Sequence, residues 1–234
     1  MNLENLISTY KNNKIGNPDS AVLIKDLTPR VLSSVVNLIT ANYNLEDKKY
    51  ATKERVFYDT RRIVARSNYN TNSNQIYSSL DFDDKLAEIV QPIVNEITVV
   101  LPSVVPVLMQ LATLLPGQSL QWHTDVFLYQ QFTNKLHIPL ISNSESFFDV
   151  FVKDTSVKRV NMIPGLIYNI DNLALHRSIN NGGSMRTHLI IDVMELSTLE
   201  ALLNTGINFF HTKLPAMSEI EKVSLEKLTL KYKK

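Results

Sequence analysis

Three short segments of this chain carry metal-ligating or charged side chains at every second position, and that alternation constrains its fold more than any other feature. The first is Gln121-Trp122-His123-Thr124-Asp125, the second is Leu175-His176-Arg177-Ser178-Ile179-Asn180, and the third opens at Arg186, ten residues past His176. In a strand, side chains two apart share a face, so His123 and Asp125 project together while Thr124 points the other way. His-x-Asp alone is a weak signal, because a chain of 234 residues with 5 His and 23 acidic residues produces it readily by chance. Its surroundings raise its weight: Val107 to Leu115 is largely apolar, Pro116-Gly117 marks a turn, and Ser119 to Asp125 resumes an extended segment. Two imidazoles and one carboxylate on one metal leave three positions open, the facial triad that suits non-heme Fe(II) oxygen chemistry.

More strands follow. In Asn134-Lys135-Leu136-His137-Ile138-Pro139-Leu140, Lys135 and His137 alternate with Leu136 and Ile138, the pattern of a half-buried strand. Gly165 to Asp171 and Ala174 to Asn180 read as strands around a bend, Asn181-Gly182-Gly183 as a turn, and Met185 to Val193 as a final strand. His176, Ser178 and Asn180 share one face; Arg186 and His188 share one face of the next strand. The turn at 181–183 is compatible with a hairpin between those two strands.

Helices flank this β-rich centre. Thr28-Pro29 makes a cap and first-position pair, after which Leu32, Val35, Val36 and Ile39 recur at helical spacing. Asp83 or Asp84 opens a second helix with Leu86, Ile89, Val90 and Ile93 on one side, and Pro92 is placed to bend it. Ser218-x-x-Glu221 resembles a capping box, with Ile220, Val223 and Leu228 as a partial stripe for packing on the barrel or on a second subunit.

The chain contains no cysteine, which excludes disulfides, thiolate metal sites and a cysteine nucleophile. Its charge, 24 basic against 23 acidic residues, gives no general affinity for nucleic acid or membrane. The longest apolar stretch, Ile97 to Met109, is interrupted by Pro102, Ser103 and Pro106 and is too short to span a bilayer. The first twenty residues lack an apolar signal core, so the expected location is cytoplasmic. Arg61, Arg62 and Arg66 form a basic group that reads as solvated surface, or as a lip for a substrate carboxylate. Lys231 to Lys234 reads as a solvated tail, Asn68 to Asn74 as a surface loop, and His211 as a packing or surface residue. Trp122 reads as packing, and Tyr129, Gln130 and Gln131 in the loop after the metal motif as candidate substrate contacts.

From about Leu111 to Val193 the sequence resembles the aspartyl/asparaginyl β-hydroxylase-like branch of the 2-oxoglutarate and Fe(II)-dependent oxygenases, which is also similar to certain free-proline hydroxylases. The matching text is Leu115-Pro116-Gly117, His123-Thr124-Asp125, Lys135 through Leu140, Asn172 through His176, Ser178, Asn180 and Arg186 through Asp192. The resemblance implies a mainly β, cupin-like double-stranded β-helix (jelly roll) with flanking helices. We expect a single oxygenase domain over 1–234, with an N-terminal flank to about 104, a β-helix core over about 105–195 and a helical extension over about 196–234.

In site terms, the resemblance implies Fe(II) on His123, Asp125 and His176, and the remote carboxylate of 2-oxoglutarate on Arg186. It places Lys135 and His137 at cosubstrate positions, with Ser178 beside them, and makes Ser178, Asn180 and Asn172 candidates for support around the metal. Animal aspartyl hydroxylases of this family carry Gly where Asp125 stands, and the family commonly carries Arg where Lys135 stands. A permanently charged, planar guanidinium suits Arg186 to its role, and three protein ligands leave room for a chelating 2-oxo acid and O2. The strand of the distal His and the strand of the Arg then lie in opposing sheets. The implied activity is hydroxylation of an Asp-, Asn- or Pro-type side chain, free or in a peptide or protein, with release of succinate and CO2. The implied partner is that amino-acid or peptide substrate, without nucleic acid or membrane, and with a possible homodimer through the last helix. The alternatives are a cupin-like metal- or ligand-binding protein without activity and an oxygenase acting on nucleic-acid or lipid alkyl groups.

Overall fold

The computed structural model describes residues 22–51, 60–65, 83–125, 127–151, 156–171 and 173–205. Among the described residues, nine strands form two sheets. The larger is ordered β1 (Val22–Asp26), β7 (Leu166–Ile170), β4 (Asn134–Ile141), β9 (Arg186–Glu195), β3 (Val104–Leu114), β2 (Thr60–Ala65). The smaller is ordered β6 (Val157–Val160), β5 (Ser146–Phe151), β8 (His176–Asn180). All pairings are antiparallel. Two opposed antiparallel sheets with helices outside make the double-stranded β-helix that the sequence resemblance implies.

Alternation gives each strand of the larger sheet two unlike faces. Leu111, Leu136, Ile138, Ile167, Leu189 and Ile191 point outward into the main core, where they meet two helices. These are α1 (Pro29–Asn42), burying Val35 and Ile39, and α2 (Asp84–Val100), burying Leu86, Ile89, Val90, Ile93, Val94 and Ile97. At about 25 cal/mol per Å² of apolar surface, this layer is the main favourable term for the fold. The opposite, inward faces of β4 and β9 carry Lys135, His137, Arg186, His188 and Asp192, all buried. A second apolar cluster of Phe148, Val150, Met162, Tyr168 and Ile170 fills the gap between the sheets.

The helix starts differ in detail. Asp83 caps α2 by accepting from the Leu86 amide at 2.9 Å. Thr28 precedes Pro29 as read, but its side chain makes no capping bond. Its amide donates to the Glu96 carboxylate of α2 at 3.2 Å, and Pro29 has no N–H to be capped. Lys25 also pairs with Glu96 at 2.9 Å, which ties β1 to α2. A short helix α3 (Leu196–Leu203) follows β9 and buries Thr198, Leu199 and Leu202. The C-terminal helix read around Ser218 to Leu228, the tail, His211, Arg66, Asn172 and the 68–74 loop lie outside the described residues. Among the described residues no helix is long and apolar enough to cross a membrane.

The turn at 181–183 does not make a hairpin. β8 pairs with β5 in the smaller sheet and β9 with β3 and β4 in the larger, so the turn is a crossing between sheets. The Asn180 side chain secures it, donating to the Leu114 carbonyl at 3.0 Å and the Ser184 carbonyl at 2.9 Å. Its Oδ1 accepts from Ser146 at 3.0 Å and from the Gly182 amide at 3.2 Å. Asn180 is thus fully engaged in joining the sheets rather than free beside the metal motif.

Candidate active site

After the turn at Gly117, where φ is +76°, the chain runs back along β8. The amides of Gly117, Leu120 and His123 donate to the carbonyls of Asn180, Ser178 and His176, at 2.8, 2.8 and 3.0 Å. This is the extended segment read from Ser119 to Asp125, but only isolated bridges at Ser119 and His123 join it to its neighbour. The bridge between His123 and His176 sets their rings side by side, with centroids 4.4 Å apart. Asp125, two residues on, completes the group: one ligand atom each from His123, Asp125 and His176 lie within 4.8 Å of one another.

Both imidazoles are held in one tautomer. His123 Nδ1 donates to the Gln121 carbonyl and His176 Nδ1 to the Ala174 carbonyl, each at 2.8 Å. A carbonyl only accepts, so each Nδ1 bears the hydrogen and each Nε2 keeps a lone pair for a metal. Burial, and then the neighbouring His123 ring, pushes His176 down to about 4. Burial likewise lowers His123. Neutral rings are the ligating form.

The third donor is oriented from the opposite sheet. Lys135 Nζ lies 2.8 Å from Asp125 Oδ2 and 3.4 Å from Asp192 Oδ1. Tyr129 donates from its hydroxyl to Asp192 Oδ2 at 3.1 Å. Burial pushes the Asp125 carboxyl up, but Lys135 and then His176 outweigh it and hold it below the ordinary value. Burial opposes the Lys135 charge too, yet Asp125 and Asp192 keep its pKa raised. Asp192, pushed up by burial, shares that ammonium. Lys135, expected at a cosubstrate position, is therefore engaged with the carboxylate of the triad.

Arg186 stands on β9 across the gap, 3% exposed, and among the described residues it has no carboxylate partner. Burial alone pulls its guanidinium down to about 9, so it remains charged at neutral pH. It donates to His188 Nδ1 at 3.0 Å, which leaves the hydrogen of His188 on Nε2, buried and without an acceptor. His137 packs its ring edgewise against His188, at 5.8 Å, and its Nδ1 is also buried without a partner. Burial, followed by the Arg186 charge, keeps both rings far below their usual range and hence neutral. A buried cation flanked by unsatisfied ring nitrogens is a site made for an anion, so these residues fit a dicarboxylate cosubstrate.

Of the remaining sequence candidates, Ser178 is buried beside His176 on β8. Trp122 lies beneath the Arg177 guanidinium, 4.7 Å from its ring centre, as a packing residue. Tyr129 and Gln130 were candidate substrate contacts, but both are buried; Tyr129 binds Asp192, and Gln130 Oε1 accepts from the Phe127 amide at 2.7 Å. Asp192 carries no chemical motif of its own in the sequence. The alternation of Arg186, His188 and Asp192 puts it on the inward row, whereas its position opposite Lys135 comes from the cross-strand register.

A two-sheet β-helix holding a His-x-Asp pair and a distal His on one side, and a buried Arg on the other, defines a 2-oxoglutarate- and Fe(II)-dependent oxygenase. A profile of the aspartyl/asparaginyl beta-hydroxylase family matches residues 80–195, the span from α2 through β9. The chain is a hydroxylase of that cofactor class. No curated protein matches its sequence. Among solved structures, AviO1 from Streptomyces viridochromogenes Tue57 is 13% identical, with 84% of this chain and 96% of that one covered at a TM-score of 0.51. A prolyl-4-hydroxylase from Pseudomonas putida is 12% identical, with 81% and 98% covered at a TM-score of 0.50. These two share the fold.

Proposed function

We propose that His123, Asp125 and His176 hold the iron, that Arg186 with His188 and His137 receives 2-oxoglutarate, and that the enzyme hydroxylates an Asp-, Asn- or Pro-type amino-acid side chain. The observation that carries this reading is the meeting, within 4.8 Å, of three metal donors on one side of the gap, opposite a buried guanidinium that has no carboxylate partner among the described residues. Bound Fe(II) and 2-oxoglutarate supply oxygen activation coupled to decarboxylation of the oxo acid to succinate and CO2.

The protein's own contribution is positioning. Gln121 and Ala174 fix the tautomers of the two rings, and Lys135 turns Oδ2 of Asp125 toward itself, leaving Oδ1 for a metal. Phe148 stacks on His176 at 5.4 Å and meets His137 edge-on at 5.4 Å, lining the gap with apolar surface that keeps water from the reacting atoms. No side chain here needs to act as a strong acid or base.

The reading includes one catalytic domain over the chain and a cytoplasmic location, supported by the lack of cysteines and by the reducing conditions that ferrous iron requires. It takes an amino acid or peptide as partner rather than nucleic acid, supported by the net charge of +1. Anaerobic titration with Fe(II) and 2-oxoglutarate, followed by succinate release across a panel of free amino acids and short peptides, tests it. We expect one metal per chain and substrate-dependent succinate, both lost in His176→Ala and Asp125→Ala. Stoichiometric iron binding unchanged in both variants would refute the triad.

A further inference from the structure

Resting on that reading, the geometry points to a second anion subsite: we propose that Arg62 and Gln110 hold the carboxylate and the amino group of a free α-amino acid substrate. The register places them. Arg62 on β2 lies directly opposite Ala112 on β3, and Ala112 lies opposite His188 on β9. Directly opposed residues in antiparallel strands share a face, so Arg62 points to the same inward side as His188 and Arg186. With neighbouring strands about 4.8 Å apart, β2 lies on the order of 10 Å from β9, beyond the cosubstrate but on the same wall.

Gln110 is the diagonal neighbour of Arg62 on that face, one inward position along β3 from Ala112. Ala112 offers only a methyl group opposite Arg62, which leaves room between the two longer side chains. Arg62 Nε and Gln110 Oε1 are both buried without a hydrogen-bond partner among the described residues. A buried donor and a buried acceptor left unmade on one face are costly to the fold unless a ligand completes them.

The charges inside the gap show which ligand is missing. Lys135 is taken by Asp125 and Asp192. In the proposed site, Arg186 would be occupied by 2-oxoglutarate. Among the described residues, Arg62 is the inward cation that remains, and the strand register sets it on the same wall as Lys135. A planar guanidinium matches a carboxylate, and an amide oxygen matches an ammonium. A residue inside a peptide has neither group free, so the pair selects a free amino acid.

The test uses full-length protein loaded with Mn(II) and 2-oxoglutarate, which binds without turnover, and calorimetric titration with the free proteinogenic amino acids, their α-amides and their N-acetyl forms. We expect at least one free amino acid to bind, with its amide and N-acetyl forms at least about tenfold weaker. Arg62→Met should abolish the preference for acid over amide, and Gln110→Leu the preference for free over acetylated amine, while both still bind 2-oxoglutarate. Equal binding of free and blocked forms by the wild type, or unchanged preferences in both variants, overturns the subsite. So does a loaded wild type that binds none of the free amino acids. Failure of the wild type to bind Mn(II) and 2-oxoglutarate at all is a different result: it overturns the metal and cosubstrate assignment and this proposal with it.

Discussion

Lys135 is a single ammonium between two buried carboxylates, and most of the local electrostatics follows from it. Removing one partner of a buried ion pair costs roughly 3–5 kcal/mol, because the other charge is left without compensation. Lys135→Met should therefore destabilise the metal-free protein by about that amount in urea unfolding, and added divalent metal should recover part of it by giving Asp125 a new cation. An unchanged unfolding midpoint would show that the Lys135 contact contributes nothing. The imidazoles give a second prediction at the same scale. His176 is pushed down to about 4 in the folded protein, against about 6.5 in an unfolded chain. Below its unfolded value the unfolded state binds the proton and the folded state does not, so the contribution is complete above about pH 6.5 and is lost as pH falls toward 4. His123, His137 and His188 are shifted the same way. Metal-free protein should lose on the order of 3 kcal/mol between pH 7 and pH 4 from His176, measured as urea stability against pH.

Among the elements, the turn before β7 shows how closely the helical layer sits on the sheet. Gly165 has φ of +84°, and an added Cβ would lie 2.9 Å from Leu32 Cδ2 on α1. Gly165→Ala combines left-handed strain, about 1–2 kcal/mol, with displacement of a core leucine. A fall in thermal midpoint of several degrees is expected, with metal affinity unchanged because the triad stands on other elements. Much of this level was legible in the residues. β4, β8 and β9 carry an alternating pattern, which on β4 and β9 also separates helix-facing from pocket-facing side chains; β3 shows as a largely apolar run, and α1 and α2 carry a helical stripe. β1, β5 and β6 were not read. Val22–Asp26 and Val157–Val160 are too short for a period to show. Ser146–Phe151 hides its polarity, because Asp149 is completely buried and held by Arg159 at 2.7 Å and Arg177 at 3.0 Å. The donors His123, Asp125 and His176 could be read as a set from spacing and resemblance. The Lys135 to Asp192 contact could not, because it depends on register between strands about fifty residues apart. The Tyr129 hydroxyl on Asp192 was hidden for the same reason, so its loop resembled a substrate lip.

For the whole molecule, the proposed metal donors belong to the smaller sheet with its paired segment, while the proposed cosubstrate residues belong to the larger one. Ligands bound between them therefore add to the contacts that already join the two layers, the small apolar cluster, the Asn180 crossing and the Lys135–Asp125 ion pair. Binding to the folded state alone stabilises by about 2.7 kcal/mol at a hundred times Kd, so the thermal midpoint should rise with metal and rise again with 2-oxoglutarate. Arg186→Met separates the two increments. The wild-type guanidinium is buried without a carboxylate, and an apolar side chain of similar length removes that desolvation, so the metal-free variant should be more stable than wild type by on the order of 1–4 kcal/mol. Its metal increment should persist, since no triad atom has changed. Its 2-oxoglutarate increment should vanish, and the cosubstrate concentration needed for half-maximal succinate release should rise by at least about tenfold. A variant that is stabilised without ligand yet deaf to cosubstrate is the signature of a residue kept for binding rather than folding. If Arg186→Met instead destabilises the metal-free protein and keeps the cosubstrate increment, the guanidinium is structural and the anion lies elsewhere in the gap.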